Sequence, residues 1–304
     1  MVHRSSILTL IIFSSIVVTA QPKDGVDYLA ILKRGATYSK ADSGKLPPFT
    51  YQSSNNPELV ALRNNYKLDS IAGFGNEIFR LLNLLHWVHN TVHHDGQHES
   101  GIKNINANDI IVAATERGVG VSCGELATTL NDCYLAMGWR SRKVYCFPKD
   151  SLKEDHDSHV IDVVYVASKK KWIWVDPTND AYVMDENGDL LSIEEVRQRL
   201  IGNKPLIINP DANWNHRNSV TKEYYLAVYM AKNLYRFYSP LRSEYNYETW
   251  GQGHKVTYVY LNPLDYKKKN PFKTDDYYNE ALKTTFDTYN SNDEKAFWNE
   301  QDDN

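Results

Sequence analysis

Two apolar, β-branched runs joined by a lysine-rich turn constrain this chain more than anything else in it. Ser158 to Ala167 reads SHVIDVVYVA, Lys171 to Asp176 reads KWIWVD, and the turn between them is SKKK. Runs of this composition, length and spacing predict an antiparallel β-hairpin. His159 opens its first strand and Asp176 closes its second, so both approach the same end. A tight turn centred on Lys169 and Lys170 puts Asp180, rather than Asp176, directly opposite His159; a bulge or wider turn restores Asp176.

The stretch before the hairpin, Gly118 to Trp139, reads GVGVSCGELATTLNDCYLAMGW. Ser122 followed three residues later by Glu125 is a capping box, which makes Cys123 the first helical residue. Leu126, Ala127, Leu130, Tyr134 and Met137 recur at helical spacing and predict a buried face, and Gly138 supplies the stop. The thiol therefore sits at the positive end of a buried helix, where its nucleophilic anion is favoured. A cysteine at a helix start is in general as readily a buried structural residue. A cysteine nucleophile needs a base and the base needs an orienting acceptor, and the hairpin offers both, with His159 36 residues after Cys123 and Asp176 17 after His159. His156 is a rival base but sits in a charged loop, DSLKEDHDS.

Residues 1–20, with Arg4 before the apolar run Ile7 to Val18 and Val18-Thr19-Ala20 at its end, read as a signal peptide cleaved near Ala20. The expected location is periplasmic or secreted, with no stable membrane insertion, because no later segment reaches about 18 apolar residues. The net charge of −4 argues against a nucleic-acid partner, for which a basic face is wanted. Of three cysteines, Cys133 and Cys146 either form a disulfide that leaves Cys123 free or are both small buried hydrophobic residues.

Residues 21–56 are expected to be an extended lead-in, and 57–201 the core. Within the core, helices are predicted over Pro57 to Tyr66, Asn76 to about His94, Asn108 to Arg117 and Ile193 to Ile201, with a strand over Arg142 to Phe147. His93, His94 and His98 follow the second of these, and the simplest reading is a solvated helix end rather than a metal site. Gly118 and Gly120 let backbone turn closely beside the cysteine. Asn187-Gly188 is expected to make a tight turn. Residues 202–304, which include INPDANWNH, a helix from about Thr221 to Phe237 and a strand from His254 to Leu261, read as an elaboration of the same fold. The many tyrosines are expected mainly in β-rich cores.

The segments GVSCGELATTLNDCYLAMGWRSRKVYC, DSHVIDVVY and KWIWVDPT, in this order and spacing, resemble the transglutaminase-like superfamily. Its pattern is a cysteine opening a helix, a histidine opening a strand and an aspartate before Pro-Thr at the next strand's end. The resemblance covers about Ile78 to Asp180, and AYVMDENGDLLSIEEVRQRLIG is similar to the extension of exported bacterial members. It implies a papain-like α+β fold, with the nucleophile helix packed on an antiparallel sheet. By the same resemblance Cys123 is the nucleophile, His159 the general base and acid, and Asp176 the orienting carboxylate. The Cys123 N–H and one further donor, with Trp87, His86 and Tyr145 as candidates, would form the oxyanion hole. Gly124 stands where animal cross-linking members have tryptophan.

Three functions follow as expectations. The first is an exported thiol hydrolase that cleaves peptide or carboxamide bonds through an acyl-enzyme. Transfer of the acyl group to an amine, as in protein cross-linking, shares that intermediate, and a noncatalytic binding module on the same scaffold is the third. The expected partner is a peptide or protein substrate, and neither metal nor organic cofactor is required by this chemistry.

Overall fold

The computed structural model describes residues 25–35, 37–39, 46–149, 158–266 and 275–298. The expected signal peptide and His156 lie outside them. Residues 21–56 are not an uninterrupted extended lead-in. Asp27 caps a helix, α1 (Tyr28–Arg34), whose Tyr28 and Leu32 are buried one helical turn apart, and a short strand follows, β1 (Thr50–Tyr51).

Four helices come next, α2 (Pro57–Asn65), α3 (Leu68–Ala72), α4 (Glu77–Thr91) and α5 (Ala107–Arg117). Asn56, Asn76 and Asn106 cap α2, α4 and α5, each through a side-chain oxygen that accepts a first-turn N–H. The cysteine helix is α6 (Cys123–Ala136), and every residue from Leu126 to Ala136 is buried. Burial on all sides places this helix inside a layered core rather than on its surface, and its buried polar residues find partners there, Asp132 accepting the Ala107 N–H at 2.8 Å and Asn131 donating to Ser243 Oγ at 2.9 Å.

After α6 the chain forms β2 (Ser141–Phe147), β3 (His159–Val166), β4 (Lys171–Asp176) and β5 (Ala181–Met184), then α7 (Ile193–Ile201) and β6 (Ile207–Ile208). A small hairpin, β7 (Asn213–Trp214) and β8 (Asn218–Ser219), precedes a composite helix. That helix consists of α8 (Lys222–Tyr224), a π-helical turn (Tyr225–Met230) and α9 (Ala231–Asn233). The last part comprises β9 (Arg236–Pro240), β10 (Arg242–Ser243), β11 (His254–Leu261), β12 (Asp275–Asn279), β13 (Thr284–Ser291) and α10 (Glu294–Trp298). The helix expected to run to Phe237 thus stops at Asn233, because Arg236 onward pairs with β2.

Nine strands form one sheet in the order β12-β13-β11-β9-β2-β3-β4-β5-β6. Its pairs are antiparallel except β11 with β13. Side chains alternate between the two faces of a strand, and both faces here are covered. Leu59, Leu85, Ile110 and Leu130 of the helices before β2 pack on Val164, Ile173 and Val175. Leu32, Val196, Leu226 and Phe297, from α1, α7, the π-helical turn and α10, pack on Ile161, Val163 and Trp174 of the opposite face. The result is a mixed α+β architecture with helical layers on both sides of a large sheet.

This layering rules out a Cys133–Cys146 disulfide and leaves both cysteines as the small buried residues that were the alternative. Cys133 lies in the core on the α6 side and Cys146 in the core on the other, and all three cysteines are free. A bridge needs Cα atoms within about 7 Å and Cβ vectors that converge, and the sheet stands between them. The tyrosines do not gather mainly in the sheet core: the buried Tyr28, Tyr134 and Tyr225 lie on helices, whereas on the strands the half-buried Tyr145 stacks on Tyr238 with ring centroids 4.3 Å apart and Tyr238 meets Tyr258 edge-on at 5.1 Å.

Candidate active site

Ser122 Oγ accepts the Glu125 N–H at 3.3 Å and Glu125 Oε2 accepts the Ser122 N–H at 2.8 Å, so the capping box is complete. Ser100 Oγ donates to the other oxygen of Glu125. Cys123 is the first residue of α6 and is partly exposed. Its N–H is one of the first-turn donors that have no partner within the helix.

The hairpin register explains how base and carboxylate meet. Val166 pairs with Lys171 across a four-residue turn in which Lys170 has φ +51°. This turn sits one residue earlier than a turn centred on Lys169 and Lys170 and shifts the pairing by two. Asp162 consequently faces Val175, and His159 and Asp176 become diagonal neighbours on one face of the sheet. His159 Nε2 donates to Asp176 Oδ2 at 2.7 Å, and both side chains are buried. Asp180, the alternative partner, instead accepts from His86 Nδ1 at 2.6 Å.

Five donors converge on the Asp176 carboxylate. Oδ2 accepts from His159, from Tyr225 Oη at 2.7 Å and from Asn179 Nδ2 at 3.0 Å; Oδ1 accepts the N–H groups of Thr178 at 2.9 Å and Asn179 at 3.3 Å. The π-helical turn supplies Tyr225 and, four residues on, Tyr229, whose hydroxyl lies 3.3 Å from His159 Nδ1. Single π-turns inside helices recur at functional sites. Here the turn brings both hydroxyls down onto the His159–Asp176 pair.

Two imidazoles, those of His159 and His94, act on the Cys123 thiol through hydrogen bonding and charge. Burial pushes a thiol up, but these partners outweigh it and lower Cys123 to about 6. Burial likewise opposes a charge on His159, yet the Asp176 carboxylate and the thiolate raise it to about 10. Asp176 is held below the usual carboxylate range because His159 and its other donors overcome desolvation. Between these limits the stable form of the pair is thiolate with imidazolium. Such a pair can attack a carbonyl carbon and then protonate a leaving group.

His94 was not legible as part of this site. Helix α4 ends at Thr91, so His94 is not a solvated helix end but an extended residue bridged in parallel to Val121. The Val121 N–H donates to the His93 carbonyl at 3.1 Å and the Asp95 N–H to the Val121 carbonyl at 2.7 Å. Gly120 makes this approach possible, since a Cβ there would lie 2.6 Å from Asp95 Cβ. The only sequence hint was the glycine-rich approach to Cys123.

Of the three oxyanion-hole candidates, two have a polar group engaged elsewhere and the third has its ring packed on a neighbouring ring. His86 holds Asp180, Trp87 packs against Tyr66 with centroids 5.9 Å apart, and Tyr145 donates to Glu248 at 2.8 Å. Among the described residues no group of three His, Cys, Asp or Glu could hold a metal ion, and no helix is long and apolar enough to cross a membrane.

No protein-family model matches the chain, and no curated protein matches it. A crystal structure from Cytophaga hutchinsonii, described as that of a candidate cysteine protease, is similar in part, with 20% identity and a TM-score of 0.31. The match takes in 56% of this chain and spans about half, 52%, of that one.

Proposed function

We propose that this chain is a cysteine-dependent enzyme of transglutaminase-like type on a papain-like core, acting on peptide or carboxamide bonds through an acyl-enzyme. The observation that carries this reading is the convergence on one thiol of a capped helix N-terminus and a buried His159–Asp176 pair. Cys123 Sγ⁻ attacks the carbonyl carbon and the C=O electron pair moves onto oxygen. Collapse of that oxyanion expels the amine, which takes its proton from His159, and leaves a thioester on Cys123. His159, now neutral, removes a proton from water, and the hydroxide releases the acid and regenerates the thiolate. Asp176 keeps Nε2–H pointed at itself, so that the other ring nitrogen serves the thiol.

Hydrolysis is the preferred outcome, with transfer to an amine as the alternative that shares every step up to the thioester. The test is mass-spectrometric labelling of Cys123 with limiting iodoacetamide at pH 7, together with release of p-nitrophenol from p-nitrophenyl acetate. Wild type should label selectively at Cys123 and give a thioester adduct on that residue. His159→Ala should slow both reactions, and Cys123→Ala should abolish the adduct while remaining folded. A Cys123 that labels no faster than Cys133, or at a rate indifferent to His159, sinks the proposal.

A further inference from the structure

Three consecutive residues of the β7–β8 hairpin reach His89, on α4, and His94, just beyond its end. Asn213 Oδ1 accepts from His89 Nε2 at 2.9 Å. Trp214 Nε1 donates to His94 Nδ1 at 3.0 Å. Asn215 brackets the His94 backbone, accepting its N–H at 2.8 Å and donating to its carbonyl at 2.7 Å. The hairpin can do this because its turn residues, Asn215 and His216, both take left-handed conformations, with φ +50° and +55°. This pairing is characteristic of a type I′ turn. Neither is glycine, so the conformation carries a backbone cost that other contacts have to offset.

The chemistry of these contacts fixes where His94 carries its proton. An indole N–H only donates, so Nδ1 must present its lone pair to Trp214. The hydrogen then resides on Nε2. The edge of the ring that carries Nε2 is packed under Gly96, where a Cβ would stand 3.1 Å from Cε1 and 3.3 Å from Nε2. Trp214 on one edge and Gly96 on the other hold the ring in one orientation. His94 in that orientation is bridged in parallel to Val121, two residues before Cys123 at the approach to α6, and its imidazole is one of the two that lower the Cys123 thiol.

Resting on the acyl-enzyme reading above, we propose that His94 Nε2–H and the Cys123 backbone N–H together form the oxyanion hole, with Trp214 as the positioning residue that sets the His94 tautomer. Two N–H donors at the mouth of a helix meet the requirement that the negative oxygen be bound where it develops. The capping box takes up the N–H groups of Ser122 and Glu125 and leaves that of Cys123 for this use. His159 remains the proton carrier and His94 transfers no proton.

Two reactions of the same thiol separate this role from simple support of the thiolate. Alkylation by iodoacetamide displaces iodide and develops no oxyanion, whereas acylation by p-nitrophenyl acetate passes through one. Measured on the full chain at a pH where the thiol is ionised in every variant, the ratio of acylation to alkylation rate constants isolates the oxyanion. His94→Ala should lower that ratio by about 10²-fold. His94→Gln, which keeps an N–H donor, should recover part of it. Trp214→Phe should lower it less than His94→Ala. A ratio that stays at the wild-type value in His94→Ala and Trp214→Phe overturns the assignment, as does a loss in which both reactions fall equally. If His94→Ala does not fold, as judged by its melting transition, the ratio in His94→Gln and Trp214→Phe decides in the same way. Failure of wild type to acylate Cys123 at all is a different result, because it removes the underlying enzyme reading as well.

Discussion

Two aspartates on neighbouring strands, both fully buried, end up in opposite protonation states. Asp176 closes β4 and receives five hydrogen bonds. Asp162, in the middle of β3 and paired with Val175 just before it, has neither carboxylate oxygen hydrogen-bonded. Burial pushes Asp162 well above the usual carboxylate range, and the attraction of Lys143 does not compensate. The same burial acts on Asp176, but His159, Asn179 and Tyr225 reverse its effect. Exclusion of water therefore does not make a buried acid useful as a charge. What does so is the set of donors that the fold gathers around it, and the two faces of one sheet differ in that respect.

The largest test of this contrast is Asp176→Asn. Without the carboxylate, the His159 ring loses both its orientation and the charge that supports imidazolium, and acylation by p-nitrophenyl acetate should fall by about 10³-fold or more. Urea denaturation should show a loss of about 3–5 kcal/mol, the usual cost of removing one partner from a buried pair. Acylation within a few-fold of wild type would break the contrast at its charged end.

A pH profile comes next. Cys123 is depressed to about 6 and His159 raised to about 10, so the thiolate stabilises the fold above the unfolded thiol's pKa and that contribution is lost as pH falls through about 6. The imidazolium contribution is complete below about 6.5 and is lost as pH rises through about 10. The iodoacetamide rate should accordingly rise through an inflection near 6 in wild type, and that inflection should move up in Asp176→Asn. A wild-type inflection above 8 would refute the charged pair.

A smaller effect belongs to Tyr225→Phe, which removes one of three donors to Oδ2. Loss of a hydrogen bond to a charged group costs about 1.5–3 kcal/mol, and acylation should drop about tenfold. The smallest effect should come from Asp162→Asn, with acylation unchanged and stability at pH 7 within about 1 kcal/mol of wild type or better, since no hydrogen bond is lost. Because Asp162 is raised on folding, its stabilising contribution is present below about pH 3.9 and declines above it. Wild type should therefore lose stability relative to Asp162→Asn between pH 4 and 7. A loss of several kcal/mol in the variant would mean that Asp162 has a partner after all.

Much of the site was legible because its signals are local. Ser122 and Glu125 marked the start of α6, and the run from Ser158 to Ala167 marked a strand, within a residue of where they occur. The hairpin register was less accessible, because it depends on whether the chain closes at Val166 and Lys171 or one residue later, and lysines accept either. The contributions of Tyr225, Tyr229, Trp214 and His94 were hidden for a different reason. Each acts across a long separation in sequence, such as the 120 residues between His94 and Trp214, and neither periodicity nor turn chemistry encodes such a meeting. The π-helical turn falls in a segment whose pattern predicts only a regular helix, and packing against the sheet overrides that preference.

That turn also sets a clock. Tyr225 lies 49 residues beyond the Asp176 it binds, and at a synthesis rate of about 5–20 residues per second it leaves the ribosome roughly 2–10 s after that aspartate. During this interval the nascent chain holds its thiol, imidazole and carboxylate while lacking the hydroxyls that complete their surroundings. On the reading proposed above, Cys123, His159 and Asp176 are therefore made before the hydroxyls that hold two of them in place.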